Sequence, residues 1–130
     1  MFDKKKKPYT DLLGKTNRIV EGTIIKGDII SKADFRLDGE LIGNFQTSGK
    51  LVIGPAGIVT GDIICNNVDI EGKFSGIVQV RELLNVKATA NVKGEVKVGK
   101  LSVDPGADFS ATCVMNATEK QTVAVDEQKQ

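Results

Sequence analysis

Three groups of residues have types and spacing that could do chemistry: a column of acids, a pair of cysteines and a run of lysines. Asp28, Asp62 and Glu95 each follow a glycine, Gly27, Gly61 and Gly94. Carboxylates recurring at a regular interval could hold a hard cation or divide acid and base roles between them. The same place in the intervening units holds Asn44, Ile77 and Thr112, so the column breaks at every second step. A solvated outer face accounts for it, and no catalytic or metal-ligating residue is assigned. Histidine is absent, which removes the side chain best suited to base catalysis near neutral pH.

Cys65 and Cys113 stand in columns where other units place Val, Thr, Ser, Met or Ile, and they read as small buried hydrophobes. Several units separate them, beyond the roughly 7 Å Cα limit of a disulfide. No glycine-rich loop ending in Lys-Ser/Thr occurs, so neither nucleotide nor any other cofactor is expected. The lysines stand at the start: Met1, Phe2 and Asp3, then Lys4, Lys5, Lys6 and Lys7. Such a run is either a solvated tail or a membrane foot. At an anionic leaflet each lysine contributes about 1 kcal/mol, and burying Phe2 adds roughly 1.5–3 kcal/mol. One copy would hold weakly, whereas many copies on one polymer would hold well, because each later attachment is intramolecular.

The elements that must position these residues come from a repeat. Phe35-Arg36-Leu37, Leu51-Val52-Ile53, Val68-Asp69-Ile70, Leu84-Asn85-Val86 and Leu101-Ser102-Val103 start 16, 17, 16 and 17 residues apart, with apolar residues first and third. A second register is anchored on Gly27, Gly43, Gly61, Gly76, Gly94 and Ala111. Two places before them stand Ile25, Leu41, Val59, Phe74, Val92 and Phe109; two places after stand Ile29, Phe45, Ile63, Val78, Val96 and Cys113. Period two within a unit is a strand with one buried face. Recurrence between units is the mark of a solenoid, whose units bury their apolar faces only by stacking. The expectation is an all-β, single-domain parallel β-helix of about six rungs of 16–17 residues, near 29 Å long at roughly 4.8 Å per rung.

Gly22, Gly39 and Gly72 follow apolar-acidic pairs and are expected at corners with positive φ, where Gly54-Pro55-Ala56-Gly57 and Asp104-Pro105-Gly106-Ala107 supply turns in other rungs. Ile30 and Ile64 should point outward on either side of Gln46, a hint of a lateral contact. The first rung is assigned the inward residues Val20, Ile25 and Ile29. The last rung carries Leu101, Val103, Phe109, Cys113 and Met115. No helix signal follows to cap it, and apart from Val123-Ala124-Val125 the tail lacks strand pattern. The expected division is residues 1–17 as a disordered tail with the lysine-rich motif, 18–115 as the solenoid and 116–130 as a disordered polar tail. Both end rungs would then present unpaired edges, which invite edge-to-edge association.

With 18 basic and 17 acidic side chains the chain lacks the charge footprint of a nucleic-acid binder. It shows no signal-peptide core and no apolar run of the roughly 18 residues that span a bilayer, and a cytoplasmic location is expected.

The Met-Phe and lysine start, the recurrent Gly-Asp/Glu-Ile/Val units and the Leu101–Phe109 segment together resemble the bactofilins. The similarity covers residues 18–115 and the N-terminal motif. It implies a right-handed β-helix that polymerises without nucleotide into non-polar cytoskeletal filaments of bacteria, often at the inner face of the cytoplasmic membrane, in cell shape, polar organisation or chromosome-linked scaffolding. It also implies a subunit contact at Phe109 and membrane binding through Met1, Phe2, Lys4, Lys5, Lys6 and Lys7, diluted here by Asp3 and Pro8-Tyr9. The implied partners are further copies of the chain, joined head to head and tail to tail, membrane lipid, and cell-wall or polarity proteins. Neither nucleic acid nor nucleotide is among them.

Two other classes fit a short-rung coil less well. Acyltransferases of the hexapeptide class keep a strict six-residue beat and depend on a histidine, which this chain lacks. A monomeric binding solenoid would want a polar cap, and an ice-binding one flat ranks of threonine, whereas the threonines here are scattered.

Overall fold

The computed structural model describes residues 15–115 and 122–124. Its strands are β1 (Thr16–Ile19), β2 (Ile24–Lys26), β3 (Ile29–Ser31), β4 (Asp34–Leu37), β5 (Glu40–Ile42), β6 (Phe45–Thr47), β7 (Lys50–Ile53), β8 (Ile58–Ile70), β9 (Lys73–Val86), β10 (Asn91–Val103), β11 (Asp108–Met115) and β12 (Thr122–Ala124). They form one sheet in the order β1, β4, β7, β8, β9, β10, β11, β12, with β2-β5-β8 and β3-β6-β8 as side branches. The chain is a parallel β-solenoid of about six turns, as its periodicity predicts. The columns stack in the expected register: Phe35 pairs with Leu51, Leu51 with Val68, Val68 with Leu84 and Leu84 with Leu101.

Stacking in register makes one continuous core. Leu37, Leu41, Ile53, Val59, Ile63, Val68, Ile70, Val78, Leu84, Val86, Val92 and Val96 are all buried along the axis. Phe35 and Phe45 meet edge to face, with centroids 4.9 Å apart and ring planes at 80°. The buried polar residue Thr47 is satisfied at its corner: its hydroxyl donates to the Ala33 carbonyl at 2.9 Å and accepts from the Gly49 N–H at 3.1 Å. Both partners are needed, because a buried hydroxyl left unpaired costs about 1–3 kcal/mol.

The glycine column is closed by sterics. Gly27, Gly43, Gly61, Gly76 and Gly94 have φ of 132°, 149°, 142°, 141° and 119°. A Cβ on Gly43, Gly61, Gly76 or Gly94 would overlap the carbonyl oxygen of the glycine one rung earlier. Ala111 ends the column without a positive φ.

Two expectations need correction. Val20 is 64% exposed, and the inward residue of the first rung is Ile19, which pairs with Leu37. The first turn is 18 residues long, Asn17 to Phe35, so counting back 17 from Leu37 lands one residue too far along. A slip of one reverses the face in a strand. The second concerns the corners. Gly22 has φ 95°, but Gly39 and Gly72 are not among the positive-φ residues. They are glycine for lack of room: a Cβ on Gly39 would run into the Thr23 and Val20 carbonyls, and one on Gly72 into those of Gly57 and Gly54.

That crowding arises because the coil turns one edge in two ways. Wide corners, Val20–Thr23, Gly54–Gly57, Lys87–Ala90 and Asp104–Ala107, are each closed by an N–H of the last residue donating to the first carbonyl at 2.8–3.2 Å. Narrow corners use Asp38-Gly39 and Glu71-Gly72. The main-chain ladder crosses between the types without a break, since Glu40 N–H donates to Thr23 O at 2.8 Å and Ile58 N–H to Gly39 O at 3.0 Å.

Candidate functional site: the two ends of the rod

Among the described residues the stack of paired strands ends at the two ends of the coil, and the two ends differ. At the N-terminal end, β1, β2 and β3 each pair on one side, with β4, β5 and β6, and have no strand on the other among the described residues. Ile19, Ile25 and Ile29 are half-buried against the core, and Val20 and Ile24 are exposed beside them at 64% and 60%. Ile25 and Ile29 therefore sit in the first rung as expected. Ile19 and Ile24 join them, while Val20 lies at the corner outside the core.

The C-terminal end departs from the expectation of a bare rung. β12 pairs antiparallel with β11, setting Thr112 opposite Ala124, Cys113 opposite Val123 and Val114 opposite Thr122. A tail expected to be disordered thus contributes a strand over the outer edge of β11. Phe109 and Cys113 are fully buried although they stand on the last rung, whereas Leu101, Val103 and Met115 are half-buried. The physical reason is a short Thr-Val-Ala stretch of adequate β propensity beside an edge that lacks a next rung.

The remaining candidates stay apart. Asn44 N–H donates to Asp28 Oδ1 at 3.3 Å, and Asp28 and Asp62 are exposed beside Ile30, Gln46 and Ile64 in a shallow lateral groove. Ile30, at 77% exposure, and Ile64 do point outward on either side of Gln46. Among the described residues no group of three or more His, Cys, Asp or Glu stands together as metal ligands would. Both cysteines are buried and free. Burial pushes the Cys65 thiol up to about 12, against a small opposing pull from the Thr47 backbone, and burial raises Cys113 as well. Neither is poised as a nucleophile, which needs the thiolate. Met1, Phe2, Lys4, Lys5, Lys6 and Lys7 lie outside the described residues.

A coil whose ladder ends in an open apolar rung is a β-solenoid of the class that can extend by adding another coil at its end. The family described as "Bactofilin: Polymer-forming cytoskeletal" matches residues 17–114, and the chain belongs to it. It is similar to bactofilin BacO of Myxococcus xanthus (strain DK1622), 26% identical over 97 residues that cover 75% of this chain and 77% of the relative. It is also similar to bactofilin BacP of the same strain, 21% identical over 96 residues, 74% of this chain but 40% of that protein. No solved structure matches. The family is cytoskeletal, and polymer formation implies self-association.

Proposed function

We propose that the chain is a filament subunit that joins copies of itself end to end, first rung to first rung and last rung to last rung, without nucleotide. Each joint is then two-fold and the filament has no polarity. The observation that carries the reading is the first rung, where three unpaired edges surround Ile19, Ile25 and Ile29. Leu101, Val103, Phe109, Cys113 and Met115 form the other joint. The filament serves as a scaffold at the inner face of the bacterial cytoplasmic membrane, in cell shape or polar organisation. Met1, Phe2 and Lys4 to Lys7 hold it there, and cell-wall or polarity proteins are its further partners. Catalysis has no part in this reading.

The test is electron microscopy and sedimentation of the purified chain in physiological salt with no nucleotide. Thin filaments with two-fold joints are expected, and Ile25→Glu, which places a charge in the first joint, should leave assemblies no longer than pairs. Particles that stay monomeric at every concentration would overturn the reading. Co-sedimentation with phosphatidylglycerol vesicles should be lost when Lys4 to Lys7 are all changed to Gln; binding unchanged by that substitution would remove the membrane assignment.

A further inference from the structure

Among the described residues every strand pair is parallel except the last, β11 with β12. That polarity has a physical meaning at an end where two copies meet. A two-fold axis normal to the β11 face turns the partner's strand through half a circle, so β11 paired with β11 of a second copy is necessarily antiparallel. β12 therefore lies on this edge in the direction that the partner's β11 would take. It also coincides with a difference between the ends: Phe109 and Cys113 are fully buried, while Ile25 and Ile29 at the open end are half-exposed. The cover is short. β12 is three residues long and β11 eight, and the pairing reaches Thr112 to Val114.

We infer that the outer edge of β11 is the docking surface for β11 of a second copy, and that β12 is its intramolecular stand-in, which the second copy displaces. This rests on the end-to-end reading above. While β12 stays seated, copies join only through their first rungs and stop at pairs. When it leaves, both ends are open and the pairs lengthen into filaments. A three-residue strand can be exchanged for a longer one because edge pairing is sequence-tolerant main-chain hydrogen bonding, and so short a strand is only marginally held.

The register supplies the test, because Cys113 and Val123 are opposite each other. Directly opposed residues of antiparallel strands have Cα atoms about 4.5–5.5 Å apart, within the range of a disulfide. The full chain carrying Val123→Cys, oxidised, should form an intramolecular bond to Cys113 and run in sedimentation as pairs of twice the 13.9 kDa chain mass. Adding a reductant should release filaments. In the full chain carrying Val123→Pro, which loses a main-chain donor in β12, the critical concentration for filaments should fall about tenfold, equivalent to about 1.4 kcal/mol.

Filaments equally abundant in the oxidised and reduced forms would overturn the stand-in and leave end-to-end assembly intact. So would a Val123→Pro chain with an unchanged critical concentration, a disulfide that forms between copies, or one that fails to form. Absence of filaments in the reduced Val123→Cys chain, the Val123→Pro chain and the unaltered chain alike would overturn the end-to-end reading itself.

Discussion

Replacing Gly76 by alanine should damage the rod more than replacing Gly106, although both residues have positive φ. Gly76 has φ 141° and Gly106 97°. Holding an alanine in such a conformation costs about 1–3 kcal/mol at either place. The surroundings differ. A Cβ at Gly106 would meet only Ala88, its oxygen at 3.6 Å and its Cβ at 3.7 Å, which is ordinary contact. At Gly76 it would overlap the Gly61 carbonyl, so a rung must move away from its neighbour and loosen the ladder on both sides. Overpacking of that kind adds about 1–3 kcal/mol. For a domain of this size 1 kcal/mol shifts the midpoint by about 4–8 °C. Gly76→Ala should thus melt at least about 4 °C below Gly106→Ala by far-ultraviolet circular dichroism. The comparison belongs at one concentration below that of assembly, since self-association raises apparent stability. Coincident melting curves would refute the steric argument and leave glycine there for its φ alone.

Three further outcomes follow from the same packing. Thr47→Val leaves the Ala33 carbonyl and the Gly49 N–H without the hydroxyl that joins them, and urea unfolding should show a loss of about 1–3 kcal/mol that Thr47→Ser largely restores. Val20→Asn should change stability by no more than about 0.5 kcal/mol, while Ile19→Asn should cost more than about 1 kcal/mol; the reverse order would return Val20 to the core. The neutral Cys65 thiol contributes stability that is complete below its ordinary value of 9.0 and declines as pH rises from there toward about 12. Cys65→Val should remove that part of the alkaline loss, measured by urea midpoints across that range.

The fold was legible because its signal repeats. A single Leu-x-Ile triplet says little, but five of them in register fix a strand, a face and a neighbour together, and the buried columns at Leu51, Val68 and Leu84 follow. The first rung was harder because no earlier rung constrains it, and an 18-residue turn moved the inward position from Val20 to Ile19. Gly39 and Gly72 do stand at corners, but what requires glycine there is crowding by carbonyls of the rung before, which leave no trace in local sequence. The strand at Thr122–Ala124 had one local sign, the Val123-Ala124-Val125 stretch, and that sign is indistinguishable from many loop segments. What makes it a strand is the vacant edge of β11, a property of the coil and not of the tail.

The two kinds of corner also make this rod a natural mount for foreign sequence. Gly54–Gly57 does in four residues what Asp38-Gly39 does in two, and the ladder on either side is undisturbed, so the coil tolerates extra length at that edge. A peptide spliced between Pro55 and Ala56, or between Ala88 and Thr89, would emerge along the same ridge, two rungs or about 10 Å apart. The grafts would leave both terminal rungs untouched, and each copy would present its cargo as an ordered row with a pitch set by the backbone.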